Sequence, residues 1–138
     1  MEKSEEIKAL MQQLYEAMGR GDVEGFENHV SRSGGTLVIG TDPKEWWSGY
    51  EEIHRVFSQQ IKEMGGTVEI VASELQAYSE GSVGWTADKA TFRLSDGTQM
   101  PFRATGVLHR EGSDWKLVQW HVSFGVANEE VLGKELTV

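Results

Sequence analysis

The stretch FRATGVLHREGSDWKLVQWHVS, residues 102–123, joins two β-rich runs through a Gly-containing turn, and its pairing decides which side chains share an interior. If Glu111–Asp114 form the loop of an antiparallel hairpin, Arg110 pairs with Trp115. Counting back sets Leu108 opposite Leu117, Gly106 opposite Gln119, Ala104 opposite His121 and Phe102 opposite Ser123. Residues directly opposite one another lie on one face of the sheet. Asp96-Gly97, taken as a two-residue type I′ turn, pairs Ser95 with Thr98 and adds Trp85, Ala87, Lys89 and Thr91 to that face.

On this count, small Ala87, Ala104 and Gly106 adjoin polar His121, Gln119 and Ser123, with Trp85, Leu108, Leu117 and Phe102 as apolar walls. Small beside polar leaves room for a ligand, where a filled core would carry large aliphatic side chains. His121 is then the candidate general acid, base or ligand hook, with Gln119 and Ser123 at strand spacing on either side. The expected pocket is completed by Leu14 and Trp46, and Asp42 and Glu45 lie in a loop beside its mouth, where a carboxylate could act as base, Asp42 being the catalytic candidate of the two. The opposite face carries Thr86, Asp88, Ala90, Phe92, Arg103, Thr105, Val107, Val118, Trp120, Val122 and Phe124. It is too apolar to face water alone. A homodimer contact through Arg103, Thr105, Trp120 and Val122 is expected, with an Asp88–Arg103 ion pair on that face.

Upstream, Ile7, Leu10, Met11, Leu14 and Met18 recur at helical spacing after Ser4, an N-cap residue, and Gly19 and Gly21 stand where a left-handed cap would end the helix. Asp22 caps a short second helix carrying Val23, Phe26 and Val30. Thr36–Ile39 reads as a buried strand, and Ser48 with Glu51 as a capping box opening a third helix that ends at Gly65-Gly66. Trp46 and Trp47 are adjacent, so an extended backbone sends them to opposite sides. From Thr67 onward, turn signals at 79–82, 96–97 and 111–114 divide four antiparallel strands. Three helices followed by a four-strand meander form an α+β layout, expected as one domain over residues 1–138.

Composition narrows the classes. The chain has 138 residues, no Cys and a formal charge of −9, with 13 basic residues scattered singly. Disulfides, thiolate nucleophiles and Cys-based metal sites are excluded, and a phosphate backbone would be repelled, so no nucleic-acid partner is expected. No His or carboxylates stand at metal-ligand spacing, and neither a metal nor a cofactor is expected. No apolar run approaches membrane-spanning length, and the charged start MEKSEEIKAL lacks the apolar stretch of a signal peptide, so a cytoplasmic location without membrane contact is expected.

Arg20-Gly-Asp22, the run GTDPKEWWSG at residues 40–49 and WKLVQWHVS at 115–123, set in this order of elements, resemble the NTF2-like superfamily and its SnoaL-like branch over nearly the whole chain. The resemblance implies a cone-shaped fold with a curved, mainly antiparallel sheet. The superfamily includes ketosteroid isomerases, which use a Tyr on the first helix, a carboxylic acid on the sheet and a carboxylate base near the first strand. Here the Tyr position aligns with Leu14, Tyr15 lying about 100° around the helix, and the acid with Gly106; only Asp42 matches the base, across a gap. Steroid isomerisation is therefore not expected. The Trp-His-x-Ser run is also similar to the association domain of calcium/calmodulin-dependent protein kinase. Three roles follow: binding a small, mostly apolar ligand; proton transfer next to a carbonyl by His121 or Asp42 in an isomerase, cyclase or hydratase; or oligomerisation and partner binding.

Overall fold

The computed structural model describes residues 1–138. After a two-residue edge strand β1 (Glu2–Lys3), helix α1 (Glu5–Arg20) begins where the Ser4 hydroxyl accepts the Ile7 N–H and ends at Gly21, whose φ of 71° is the left-handed cap that glycine adopts without strain. Its apolar stripe, Ile7, Met11, Leu14, Tyr15 and Met18, is buried. Asp22 then caps α2 (Val23–Glu27) by accepting the Gly25 N–H. Strands β2 (Leu37–Ile39) and β3 (Trp46–Ser48) form a hairpin that the 115–123 strand joins in parallel through β2.

The third helical segment opens differently from the capping-box expectation. Gly49 precedes α3 (Tyr50–Glu52) without a side-chain cap, and the Ser48 N–H donates to Glu52 rather than Glu51, because Ser48 is still part of β3. A π-helical turn, Ile53–Phe57, separates α3 from α4 (Ser58–Met64). Adjacent Phe57 and Ser58 are both buried there, consistent with the extra residue that such a turn inserts.

Of the expected four long strands, the first is two short ones, β4 (Val68–Val71) and β5 (Gln76–Glu80), both pairing with β6 (Val83–Leu94). Asp88 explains the break: it accepts the N–H groups of Ser73 and Glu74, turning the chain between β4 and β5. β7 (Gln99–Glu111) and β8 (Asp114–Ser123) complete a curved, open sheet ordered β1-β5-β6-β7-β8-β2-β3, with the helices on its concave face. It is an α+β, NTF2-like cone.

Two one-residue differences reassign the faces expected from counting. At the first turn the Asp96 carboxylate accepts the Thr98 N–H at 2.8 Å, making an Asx turn that carries the loop through Ser95–Thr98, so Arg93 pairs with Gln99. At the second hairpin, Arg110 does face Trp115 and Leu108 faces Leu117, but Val107 pairs with Gln119. Val118 is an extra residue, a β-bulge. Its cause lies on the other edge of β8, where the Leu117 N–H donates to His29 O at 2.7 Å and Leu117 O accepts the Ser31 N–H at 2.9 Å.

The concave face is therefore Gly84, Thr86, Asp88 and Ala90 of β6, Phe102, Ala104, Gly106 and Leu108 of β7, and Trp115, Leu117, Trp120 and Val122 of β8. Trp85, Ala87, Lys89, Arg103, Thr105, Gln119, His121 and Ser123 lie on the convex face. The small residues make room for protein rather than ligand. A Cβ at Gly84 would run into Ile7 Cδ1 and come near Trp115, and one at Gly106 would meet Thr86 Oγ1 at 2.9 Å.

Two polar clusters tie helices to this core. The Tyr15 hydroxyl donates to Asp88 Oδ2 at 3.2 Å in the interior, and burial, followed by the Asp88 charge and this bond, pushes the phenol above its ordinary range. Glu27, 9% exposed, accepts from the Tyr50 hydroxyl at 2.6 Å, from His54 Nδ1 at 2.7 Å and from the Ser58 hydroxyl at 2.8 Å. Burial opposes its charge, but these three donors prevail and hold the carboxyl below its ordinary value.

Candidate functional site

Alternation along β3 decides which tryptophan points inward: Trp47 is 5% exposed and Trp46 61%. Trp47 stacks on Phe57 from the π turn at 4.9 Å between ring centroids, and Phe57 lies 6.2 Å from the ring of Trp120. Beyond these rings opens a cavity of about 240 Å³, bounded by α4, by the β2–β3 hairpin and by the ends of β4, β6, β7 and β8. Val38, Trp47, Trp120 and Val122 form one wall, and Val68, Ile70, Phe92 and Leu94 another. Met18, Met64, Met100 and Phe124 add polarizable and aromatic surface, with Phe124 edge-on to Phe92 at 6.1 Å.

Polar groups are few: Thr41, Glu45 and Gln60. Glu45 alone is charged. Its position is built by the β2–β3 loop, in which the Gly40 N–H donates to Glu45 O at 2.9 Å and the Glu45 N–H to Asp42 O at 2.9 Å. Its carboxylate Oε1 accepts the Asp42 N–H at 2.8 Å, leaving Oε2 without a protein partner. The side chain lies in space that only glycine leaves free, since a Cβ on Gly40 would sit 2.8 Å from the Glu45 Cβ.

None of the residues expected as pocket wall lines this cavity, whereas of the two loop carboxylates expected at the mouth Glu45 does and Asp42 does not. Leu14, Phe102, Ala104, Gly106 and Leu108 are interior but outside the cavity lining; Phe102 stacks at 4.1 Å on Phe92, which does line it. Trp85, Ala87, Gln119, His121 and Ser123 were displaced to the convex face by the Asx turn and the bulge, and Trp46 stands outside. His121 is exposed among Thr105 and Ile39, so neither it nor exposed Asp42 reaches the apolar volume. Asp42 instead binds the Lys44 N–H. Asp88 points inward and Arg103 outward, which rules out their ion pair. Trp120 and Val122, expected at a dimer contact, are cavity wall. No three His, Asp or Glu side chains gather into a metal-binding cluster.

The run GTDPKEWWSG signals that one of Trp46 and Trp47 faces inward, and the structure gives that place to Trp47. The SnoaL-like domain profile matches residues 7–127. The chain belongs to the SnoaL-like domain family.

Solved structures similar to this SnoaL-like chain share its fold. An NTF2-like protein of unknown function from Pseudomonas putida KT2440 is 18% identical, with a TM-score of 0.77 over 95% of this chain and 91% of its own. A dehydratase candidate of the NTF2-like family from Streptomyces avermitilis is 20% identical, with a TM-score of 0.77 over 89% and 96%. A candidate calcium/calmodulin-dependent protein kinase II association domain from Xanthomonas campestris is 17% identical, with a TM-score of 0.71 over 91% and 95%. No curated protein matches the sequence. No helix is long and apolar enough to cross a membrane.

Proposed function

We propose that this SnoaL-like chain binds a small, predominantly apolar ligand in the cavity beside Trp47, Phe57 and Trp120. The observation that carries this reading is the volume itself. Protein interiors close to native density, so an unfilled space of about 240 Å³ walled by Val38, Trp120, Val122, Phe92 and Met100 exposes apolar surface that a ligand would cover. A few polar groups at the rim, Thr41, Glu45 and Gln60, suit orientation of one functional group rather than recognition of a highly polar molecule.

Chemistry beyond binding would fall to Glu45. It is the one ionisable group lining the cavity, and a carboxylate with a free oxygen is a competent base for a proton next to a carbonyl. The convex face is proposed as a self-association surface. Arg103, Thr105 and Lys89 lie there beside half-buried Trp85, Val107, Leu37 and Ile39, a mixture of apolar and polar area suited to a homodimer.

Fluorescence titration with benzyl alcohol tests the binding reading, because Trp47 and Trp120 flank the volume. Saturable quenching is expected, and Met100→Trp, which fills the mouth from a half-buried wall position, should abolish it while thermal unfolding shows an intact fold. Saturable quenching that survives Met100→Trp unchanged would place the ligand elsewhere.

A further inference from the structure

The chemical class of the occupant can be narrowed from the wall composition, given the reading of this cavity as a ligand site. We infer that the ligand is a small organic cation, an amine or ammonium whose hydrocarbon part lies among Trp47, Phe57, Phe92, Trp120 and Phe124 and whose nitrogen sits at Glu45. Three observations converge. First, five of the lining side chains are aromatic, a surface that receives the hydrocarbon part of such a ligand. Second, Glu45 is the sole charged lining residue, and no Lys, Arg or His lines the cavity, so an anion would meet a carboxylate with no compensating positive charge.

Third, Glu45 is held in place before any ligand arrives. Its Oε1 takes the Asp42 N–H at 2.8 Å and lies within 3.5 Å of the Thr41 hydroxyl, while Oε2 is unused. Gly40 leaves the space for it, and Lys44 in the same loop makes no ion pair with it. Glu45 is half-buried, so an ammonium beside it would keep part of its hydration while its hydrocarbon enters the apolar volume. At about 240 Å³ the space is large enough for a single-ring amine.

Three probes of equal shape separate the alternatives: benzylamine, benzyl alcohol and benzoate, titrated at neutral pH and moderate salt into the wild type, Glu45→Gln and Glu51→Gln. Glu51 is exposed on α3, outside the cavity, so its variant changes net charge equally without touching the site. Benzylamine should bind roughly tenfold more tightly than benzyl alcohol, and benzoate most weakly. Glu45→Gln should bring benzylamine to within about twofold of benzyl alcohol, and Glu51→Gln should alter neither.

Benzoate binding as tightly as benzylamine, or equal effects of Glu45→Gln and Glu51→Gln, would overturn the cation while benzyl alcohol binding kept the cavity as a ligand site. Failure of all three probes to perturb Trp47 or Trp120 would overturn both.

Discussion

Ile7 on α1 packs into the space left by Gly84 on β6, close enough that a Cβ on the glycine would fall on Ile7 Cδ1. Ile7 is fully buried, so little free space surrounds that methyl. The contact predicts that Gly84→Ala destabilises the fold by about 1–3 kcal/mol through overpacking. Ile7→Val removes the clashing methyl, so the double variant should be more stable than the sum of the two single losses, as measured by urea denaturation of all four proteins. Additive losses would show that the helix shifts freely.

The Tyr15–Asp88 pair predicts an asymmetry. Tyr15→Phe removes one neutral donor, at a cost of about 1 kcal/mol, because Asp88 keeps the Ser73 and Glu74 N–H bonds. Asp88→Ala strips three donors of their acceptor and loosens the β4–β5 bend, with an expected loss of about 3 kcal/mol. Chemical denaturation of both variants checks the order.

Glu27 predicts acid sensitivity with a definite sign. Its folded-state value lies below the ordinary one, so the unfolded chain takes up this proton first as pH falls. The stability it contributes is complete above the ordinary carboxyl value of about 4.3 and is lost as pH drops through the lower folded value. Melting temperature followed from neutral to acid pH should fall in that window, and less steeply for Glu27→Gln. Parallel curves would mean that other carboxylates dominate.

His121 serves as a negative control with consequences. Exposed on the convex face, it should be dispensable for cavity binding, and His121→Ala should leave probe affinity within about twofold of wild type. If the convex face joins two copies, Arg103→Glu together with His121→Glu should lower the self-association seen by light scattering.

Elements were legible in the sequence where one local interaction sets them. The Ser4 and Asp22 caps, the Gly21 stop and the turn at 112–113, one residue tighter at each end than the expected 111–114 loop but with the same pairing, each follow from residues within a few positions. Register was not. The first error came from the Asp96 side chain selecting a longer turn, and the second from Val118, displaced by the distant His29–Ser31 segment that grips Leu117. Each is one residue, and one residue exchanges the faces of a strand. Phe102, Ala104, Gly106 and Leu108 lie on the expected side because the 110–115 end of their hairpin is regular, whereas β6 and the far half of β8 lie beyond the two irregularities and face the other way. The candidate site accordingly has Trp120 and Val122 in its wall in place of their neighbour His121, and of the two loop carboxylates named at its mouth, Asp42 and Glu45, it is Glu45 that lines the cavity.

The five tryptophans offer the most direct test of the ligand cavity, since each indole N–H gives its own signal in a two-dimensional nitrogen–proton NMR spectrum. Trp47 and Trp120 line the cavity, Trp46 and Trp85 lie outside it, and Trp115 is buried elsewhere in the core. Titration with benzyl alcohol should move the Trp47 and Trp120 signals in a saturable way and leave those of Trp46, Trp85 and Trp115 in place. Saturable movement of Trp85 or Trp46 with Trp47 and Trp120 unmoved would contradict the cavity as the binding site and return attention to the convex face around His121.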